Sequence, residues 1–359
     1  MLRRPWAAWI DGRWEQGLEV ELQNGRPVAW RATSFSPEPL WLSPPFVNAH
    51  SHLEYRGYQG KLPNMPYWDW LRELTRLKLA ETEESVRRWC QIAAAENRAA
   101  GVGLIVEHSD RPFAVEALVK AGIRSMVLQE LITFDEAPDV DPKWAMVVEK
   151  RATQRADAIT PHATWSVDRD SLSRFSQQEF VSIHVAESRH EPDLFESHSG
   201  PIAEFFVRRG KPFPRRQPIL DLLSEVGLLR QGVQLVHIGA LAETEYERLA
   251  EAGVMIAHCP RSNINLGCPV PNVRRLLDLK IRVGLGMDSA ASSGPIDMFA
   301  EIRTMMRASD VTASEAWRIS CDADAVAMSS DGVSWNLWNS PATNDLDFIE
   351  MGAQLEVQS

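Results

Sequence analysis

The chain has 359 residues, of which 44% are hydrophobic and 24% charged, and its formal net charge is −11. This is the composition of an ordinary globular protein, long enough for a barrel of about 250 residues with a small accessory domain. The negative charge argues against nucleic acid as the main partner, because phosphate binding needs a basic face.

The sequence shows no pattern typical of export or membrane insertion. No apolar run approaches the ~18 residues that a membrane span needs, and charged residues follow soon after the start, so we expect no signal peptide. No two of the four cysteines form a CxxC pair, which is typical of a reducing compartment. We therefore expect a cytoplasmic protein with a small-molecule substrate and no nucleic-acid or membrane partner. The sequence leaves the oligomeric state open.

The two ends of the chain have the character of β-hairpins. The N-terminal part contains Asp11-Gly12 and Asn24-Gly25, dipeptides that suit two-residue hairpin turns. Near the C-terminus come another such dipeptide, Asp331-Gly332, and a strand-like stretch at Leu346–Ile349. These features predict that both ends contribute strands to one small β-domain.

The middle of the chain alternates short apolar runs with longer amphipathic stretches. The runs predict eight strands: Pro45–Ala49, Val102–Glu107, Ile123–Leu128, Ala158–Pro161, Val181–Val185, Val233–Val236, Val254–Ala257 and Ile281–Leu285. Helical patterns between them indicate an α/β fold with a parallel sheet. Eight repeats favour a closed (β/α)8 barrel, with an open, doubly wound sheet as the alternative. We predict a barrel at 44–329 and a composite β-domain made of 1–43 and 330–359.

Most of the nine histidines lie at or near the carboxyl end of a predicted strand. They are His50, His52, His108, His162, His184, His237 and His258. In a barrel these ends converge on the face that carries the chemistry. His50 and His52 point to the same side of their strand, so both imidazoles can bind one ion such as zinc. His184 and Asp288, at the ends of the fifth and eighth strands, complete a set that leaves room for a water.

Several segments resemble motifs of the amidohydrolase superfamily, in the same order. The stretch from Pro45 to Leu53 (PFVNAHSHL) is similar to the opening motif of that superfamily. His184-Val185-Ala186-Glu187 resembles the HxxE motif of its deaminase and chlorohydrolase branch. His237 and the runs HCPRSN at 258–263 and GLGMDS at 284–289 are similar to later motifs of the branch. The resemblance implies a TIM-like barrel with a small β-sandwich domain formed by both termini.

The resemblance also implies a site. In this branch one divalent metal is bound by two histidines of the first strand, one of the fifth and an aspartate of the eighth. The corresponding ligands here are His50, His52, His184 and Asp288, with zinc as the first choice and iron or manganese as alternatives. The implied catalytic residues are Glu187, which carries a proton, His237, which orients the attacking water, and Asp288, which accepts a proton from it. The alternative for Glu187 is a solvated loop position.

The expected number of metal ions depends on a missing lysine. Members with two metals carry a carbamylated lysine at the end of the fourth strand, whereas residues 159–163 read ITPHA, so we expect one ion. His162 matches an element that contacts the substrate in deaminases of modified nucleosides; the alternative is a structural histidine. Trp68 and Trp70 are candidates for stacking on the substrate, with packing on the barrel as the alternative. Arg189 is a candidate partner for an anionic group.

The combination of the HSHLE, WDWL and CPRSN runs looks like aminodeoxyfutalosine deaminases of the alternative menaquinone pathway. The leading hypothesis is therefore hydrolytic removal of the exocyclic amine of an adenine-type nucleoside, with aminodeoxyfutalosine as the best single guess. Alternatives are a deaminase of adenosine, S-adenosylhomocysteine or guanine, or a triazine-type chlorohydrolase. A hypothesis from another class is a catalytically inactive metal-binding barrel.

Overall fold

The computed structural model describes residues 1–62, 65–111, 113–133 and 156–356. Its strands are β1 (Leu2–Arg3), β2 (Pro5–Ile10), β3 (Arg13–Glu15), β4 (Leu18–Gln23), β5 (Arg26–Ala32), β6 (Glu38–Ser43), β7 (Phe46–Ser51), β8 (Val102–Ser109), β9 (Arg124–Leu131), β10 (Ala158–Pro161), β11 (Val181–Val185), β12 (Val233–His237), β13 (Met255–His258), β14 (Arg282–Leu285), β15 (Asn336–Asn339) and β16 (Gln354–Leu355).

The α-helices of these described residues are α1 (Tyr67–Ala80), α2 (Glu83–Ala99), α3 (Ala114–Ala121), α4 (Arg169–Ser173), α5 (His190–Ser197), α6 (Gly200–Arg208), α7 (Ile219–Glu225), α8 (Tyr246–Ala252), α9 (Pro260–Asn265), α10 (Val273–Asp278), α11 (Ala290–Ser293), α12 (Met298–Ala308), α13 (Ala313–Ser320) and α14 (Asp345–Met351). Short 3-10 helices occur at Leu53–Tyr58, Glu243–Glu245 and Ala323–Val326. Among the described helices, none combines the length and the apolar character needed to cross a membrane.

Two parallel sheets of four strands make up the centre of the molecule. One sheet contains β7 to β10 and the other β11 to β14, each in chain order. Single bridges join the sheets, because Ser51 pairs with Asp288 and Ala163 pairs with His184. These are the two junctions that closure of eight strands into one ring requires. All eight strands predicted from the apolar runs are confirmed, with shifts of a few residues at their ends.

Burial explains why the central strands are apolar runs. Every residue of β8, β11 and β12 is buried, as expected for parallel strands covered on both faces. The helices are amphipathic: α2 buries Val86, Cys90, Ala93, Ala94 and Asn97 along one side. Thr82 begins this helix, since its side chain accepts a hydrogen bond from the Ser85 N–H.

Strands from both ends of the chain share one sheet. A five-stranded sheet has the order β16-β15-β6-β2-β3, and β1, β4 and β5 form a separate three-stranded sheet. Asp11 and Gly12 have φ of 50° and 80°, and Asn24 and Gly25 have φ of 50° and 70°. Positive φ at both central residues matches the hairpin turns predicted from these dipeptides. The exact domain boundaries stay a prediction, and residues 357–359 of the predicted C-terminal part lie outside the described residues.

The strand expected at Leu346–Ile349 is wrong, because this segment lies within helix α14. The Asn344 side chain accepts a hydrogen bond from the Asp347 N–H and so caps the first turn. The apolar side chains do not alternate in burial as in a strand. Phe348 and Ile349 are both fully buried, whereas Leu346 is 49% exposed.

Phe348 is the side chain through which α14 contacts the terminal sheet. Its ring stacks on Trp41 of β6 with the centroids 4.3 Å apart and the planes at 4°. We expect Phe348→Ala to lower the free energy of unfolding by about 3–5 kcal/mol, because the cavity lies in a closely packed aromatic cluster. Urea denaturation would measure this change. Leu346→Ala is the matched control, and equal stability of the two variants would contradict the placement of α14.

Candidate metal centre and active site

Four side chains from three different strand ends converge on one point. Nε2 of His50 lies 3.2 Å from Nε2 of His184, and ring nitrogens of His50, His52 and His184 all lie within 4.8 Å of one another. Oδ1 of Asp288 is 3.7 Å from Nε2 of both His50 and His52. The structure therefore brings together the four residues that the sequence predicted as one set.

Hydrogen bonds at Nδ1 of two of these rings orient their Nε2 atoms towards the centre. Nδ1 of His184 donates to the His162 carbonyl at 2.7 Å, and Nδ1 of His52 donates to the His108 carbonyl at 3.0 Å. Nε2 of each ring is then an unprotonated nitrogen that faces the centre. Burial, the largest cause, lowers the pKa of His50, His52 and His184, for His184 to about 3. Neutral nitrogens and a carboxylate that face one another are the donor set of a divalent metal.

Serine hydroxyls hold the second oxygen of Asp288. Its Oδ2 accepts hydrogen bonds from Ser262 Oγ at 2.5 Å and from Ser292 Oγ at 2.8 Å. Oδ1 is thereby left to face the imidazoles. Sequence reasoning assigned no role to either serine: Ser262 lies in the HCPRSN run, and no signal pointed to Ser292.

Backbone hydrogen bonds fix the candidate metal ligands relative to one another. The Asp288 N–H donates to the His50 carbonyl and the His52 N–H donates to the Asp288 carbonyl, both at 2.9 Å. Asp288 and His237 have φ of 53° and 72°, in the left-handed region that non-glycine residues rarely adopt. Such strain persists only where the surroundings enforce it, and it collects at functional sites.

The neighbours of the His237 ring determine the tautomer of its neutral form. Asn263 Nδ2 donates to the Pro269 carbonyl at 2.7 Å, so the amide oxygen of Asn263 faces Nδ1 of His237 at 2.9 Å. That oxygen only accepts, and Nδ1 of His237 must therefore donate. Nε2 of the neutral ring is then a hydrogen-bond acceptor, and it lies 3.7 Å from Oε1 of Glu187. Asn263 is a functional candidate that the sequence reasoning missed, although it lies in the HCPRSN run.

Glu187 lies beside the His237 ring, with its two oxygens in different surroundings. Oε1 faces His237, and Oε2 accepts a hydrogen bond from the Tyr67 hydroxyl at 2.8 Å. The side chain is buried, which excludes the solvated loop position that was its alternative. Burial raises the pKa of Glu187, against the opposing effects of His237 and of the Tyr67 hydrogen bond. A carboxyl group in such a position can both accept and return a proton.

Of the predicted substrate contacts, His162 lies beside this centre. The His162 ring lies 5.0 Å from that of His184 and bonds the Ser166 hydroxyl through Nδ1 at 2.7 Å. Trp68 and Trp70 are buried in side-chain clusters, and Arg189 is exposed at the residue before α5. Contact of these four residues with a substrate stays a prediction.

A second buried group adjoins the metal centre. Nδ1 of His108 lies 3.2 Å from Oε1 of Glu130, and Nε2 lies 2.9 Å from Ser182 Oγ. Together with His184, these two residues form another group whose ligand atoms could hold a cation. Nδ1 of His184 already donates to a carbonyl, and its Nε2 faces the first centre. We therefore treat the two groups as one site.

The chain is similar in sequence to known metal-dependent hydrolases of one family. Residues 41–330 match the amidohydrolase family. The chain is similar to a 5-methylthioadenosine/S-adenosylhomocysteine deaminase of Haloquadratum walsbyi, with 30% identity over 305 residues that cover 80% of this chain and 65% of that protein. The chain thus spans less than two thirds of the length of this relative.

Two solved structures share the fold. Helicobacter pylori aminofutalosine deaminase in complex with methylthio-coformycin superposes with a TM-score of 0.82 at 16% identity, over 99% of this chain and 97% of that one. An adenosine deaminase from Xanthomonas campestris with bound zinc gives 0.79 at 22% identity, over 98% and 89%. At these identities the likeness concerns the fold alone.

Proposed function

Because the chain belongs to the amidohydrolase family, we propose that it is a metal-dependent hydrolytic deaminase that removes the exocyclic amine of an adenine-type nucleoside. The observation that carries this proposal is the position of Glu187, a buried carboxyl between the Tyr67 hydroxyl and the His237 ring. A scaffold that only bound a metal would need no such group. This argues against the inactive-barrel alternative.

The proposed fold is a (β/α)8 barrel with a composite β-domain formed by both termini. Two observations support it: the two bridges that join the parallel sheets to each other, and the five-stranded sheet that contains strands from both ends of the chain. The proposed ligands are His50, His52, His184 and Asp288, and they hold one ion because residues 159–163 contain no lysine. Zinc is the first choice, supported by the zinc in the Xanthomonas campestris structure, with iron and manganese as alternatives.

The proposed reaction replaces an amine by an oxygen at an amidine-like ring carbon. A divalent cation at this site supplies Lewis-acid activation of water near neutral pH. Nε2 of His237 accepts a hydrogen bond from the attacking water and orients it. Glu187 takes up one proton of this water and delivers it to the ring nitrogen next to the carbon under attack. Asp288 accepts the other proton and passes it to the amine as the C–N bond breaks, so the products are the ring carbonyl compound and ammonia.

Aminodeoxyfutalosine is the proposed substrate, on the resemblance of the HSHLE, WDWL and CPRSN runs to deaminases of that nucleoside. 5-Methylthioadenosine or S-adenosylhomocysteine is the second candidate, favoured by the 30% identity to the Haloquadratum walsbyi protein. All three are adenine nucleosides that differ in the 5′ substituent. The metal centre acts on the common ring, and the residues around the 5′ group decide between them.

The test is a substrate panel assayed for ammonia release. We expect the zinc-loaded full chain to deaminate aminodeoxyfutalosine with a higher kcat/KM than adenosine, 5-methylthioadenosine, S-adenosylhomocysteine or guanine. Metal analysis should find one equivalent per chain. A preference for another nucleoside would replace the substrate and keep the reaction, whereas no ammonia from any of them, with metal bound, would overturn the proposed function.

A further inference from the structure

We propose that Tyr67 is a positioning residue that determines which oxygen of Glu187 carries the transferred proton. In this arrangement Tyr67 binds Oε2 and leaves Oε1 to exchange protons with water and substrate. The inference rests on the proposed function, since it assumes that Glu187 moves a proton.

A hydrogen bond joins the two side chains. The Tyr67 hydroxyl donates to Oε2 of Glu187 at 2.8 Å, across 120 positions of sequence. Burial holds the pKa of Tyr67 well above its usual value, so the hydroxyl remains a donor. An oxygen that already accepts a hydrogen bond of this kind is the less favourable site for an added proton.

The other oxygen has the surroundings that proton transfer requires. Oε1 of Glu187 lies 3.7 Å from Nε2 of His237, a ring nitrogen that accepts hydrogen bonds because Nδ1 donates to Asn263. A water between His237 and the metal ligands can therefore reach Oε1 directly. Without Tyr67, the carboxyl group could rotate and exchange its two oxygens.

Two tryptophans keep α1 in the position that this contact needs. Trp68 lies edge-on to Trp165, with ring centroids 5.8 Å apart. Trp70 belongs to a buried cluster that includes Leu266 and Cys268. Both contacts thus hold the first turn of α1, in which Tyr67 lies. A phenylalanine at position 67 would fill the same space, so the hydroxyl is the part that packing does not require.

The first experiment replaces only this hydroxyl in the metal-loaded full chain. We expect Tyr67→Phe to lower kcat about 10- to 100-fold, the effect of one hydrogen bond to a charged group, with KM changed less than about twofold. Tyr58→Phe is the matched control, since Tyr58 is a buried tyrosine of the same cluster, and it should keep kcat within about twofold. Wild-type kcat in Tyr67→Phe would overturn the inference.

The pH dependence of kcat separates a positioning role of Tyr67 from a purely structural one. The ionisable groups that act on Glu187 are Tyr67 from α1, His237 from β12 and Asp288 after β14. Loss of the Tyr67 donor makes the carboxylate easier to protonate, so the acidic limb of kcat should move to higher pH in Tyr67→Phe and stay in place in Tyr58→Phe. An unchanged limb together with a lower kcat would assign Tyr67 a purely structural role.

A double variant and an infrared spectrum test whether Tyr67 acts through Glu187, and the spectrum does so without any substrate. If Tyr67 acts through Glu187, adding Tyr67→Phe to Glu187→Gln should cause no further loss of kcat, and a full additional loss would overturn the inference. The infrared band of protonated Glu187, identified by its absence in Glu187→Gln, should shift in Tyr67→Phe but not in Tyr58→Phe. This spectrum needs no substrate, so it tests the contact even where the substrate panel fails. An unshifted band would overturn the proposal.

Discussion

Glu187→Gln is expected to lower kcat for deamination by about 10²–10⁴-fold, the usual contribution of a positioned acid–base group. The amide keeps the size of the side chain and an oxygen that can accept the Tyr67 hydrogen bond. It loses the ability to take up a proton from water and return it to the ring. The metal ligands are untouched, so metal content and the temperature of unfolding should equal those of the wild type. Steady-state kinetics, metal analysis and thermal denaturation would measure these three quantities.

The matched control for this variant is Glu196→Gln, an exposed glutamate of α5. It should retain wild-type kcat, which would show that a change from glutamate to glutamine in this part of the chain is harmless by itself. The proton-transfer role assigned to Glu187 would be refuted by a variant that binds metal normally and turns over at the wild-type rate. A variant that loses its metal would instead place Glu187 among the ligands.

The convergence of the proposed metal ligands could be predicted from the sequence because their geometry is local and periodic. His50 and His52 share one side of a strand by the two-residue period, and parallel strands of a ring bring their carboxyl ends together. His184 and Asp288 could therefore be joined to them from their positions after predicted strands. The two single bridges, which involve Asp288 and His184, lie at these same strand ends.

The contacts of the residues that orient the site could not be predicted from the sequence in the same way. Ser292 reaches Asp288 and Asn263 reaches His237 through loops and short helices whose course no periodicity predicts. Tyr67 contacts Glu187 across 120 positions, and which side chain of the YWDW run faces the site depends on how α1 lies over the central parallel sheets. The same limit applies at Leu346–Ile349, where an apolar pattern suited both a strand and a helix, and the cap at Asn344 favoured the helix.

Asp288→Asn is expected to reduce kcat by about 10³-fold or more and to weaken metal binding. The reason lies in the two oxygens of Asp288. Oδ2 accepts from the hydroxyls of Ser262 and Ser292, so an amide NH₂ there would face two donors. The amide would turn its NH₂ towards the imidazoles of the other ligands instead, where it would face the cation. Neither orientation of the amide both accepts the two serine hydrogen bonds and offers an oxygen to the cation, although the change adds no volume.

The two serines provide a graded test of this explanation. Ser262→Ala and Ser292→Ala each remove one donor to Oδ2 and should weaken metal affinity or kcat by about 10- to 100-fold, as for other groups that orient a ligand. Asp310→Asn, at an exposed position, should change neither quantity. Metal titration of the apo protein and ammonia release would be measured for all four variants. If Asp288→Asn bound metal as tightly as the wild type while both serine variants lost it, the carboxylate would not be a ligand. The serine hydroxyls would then have to act on the metal centre by another route.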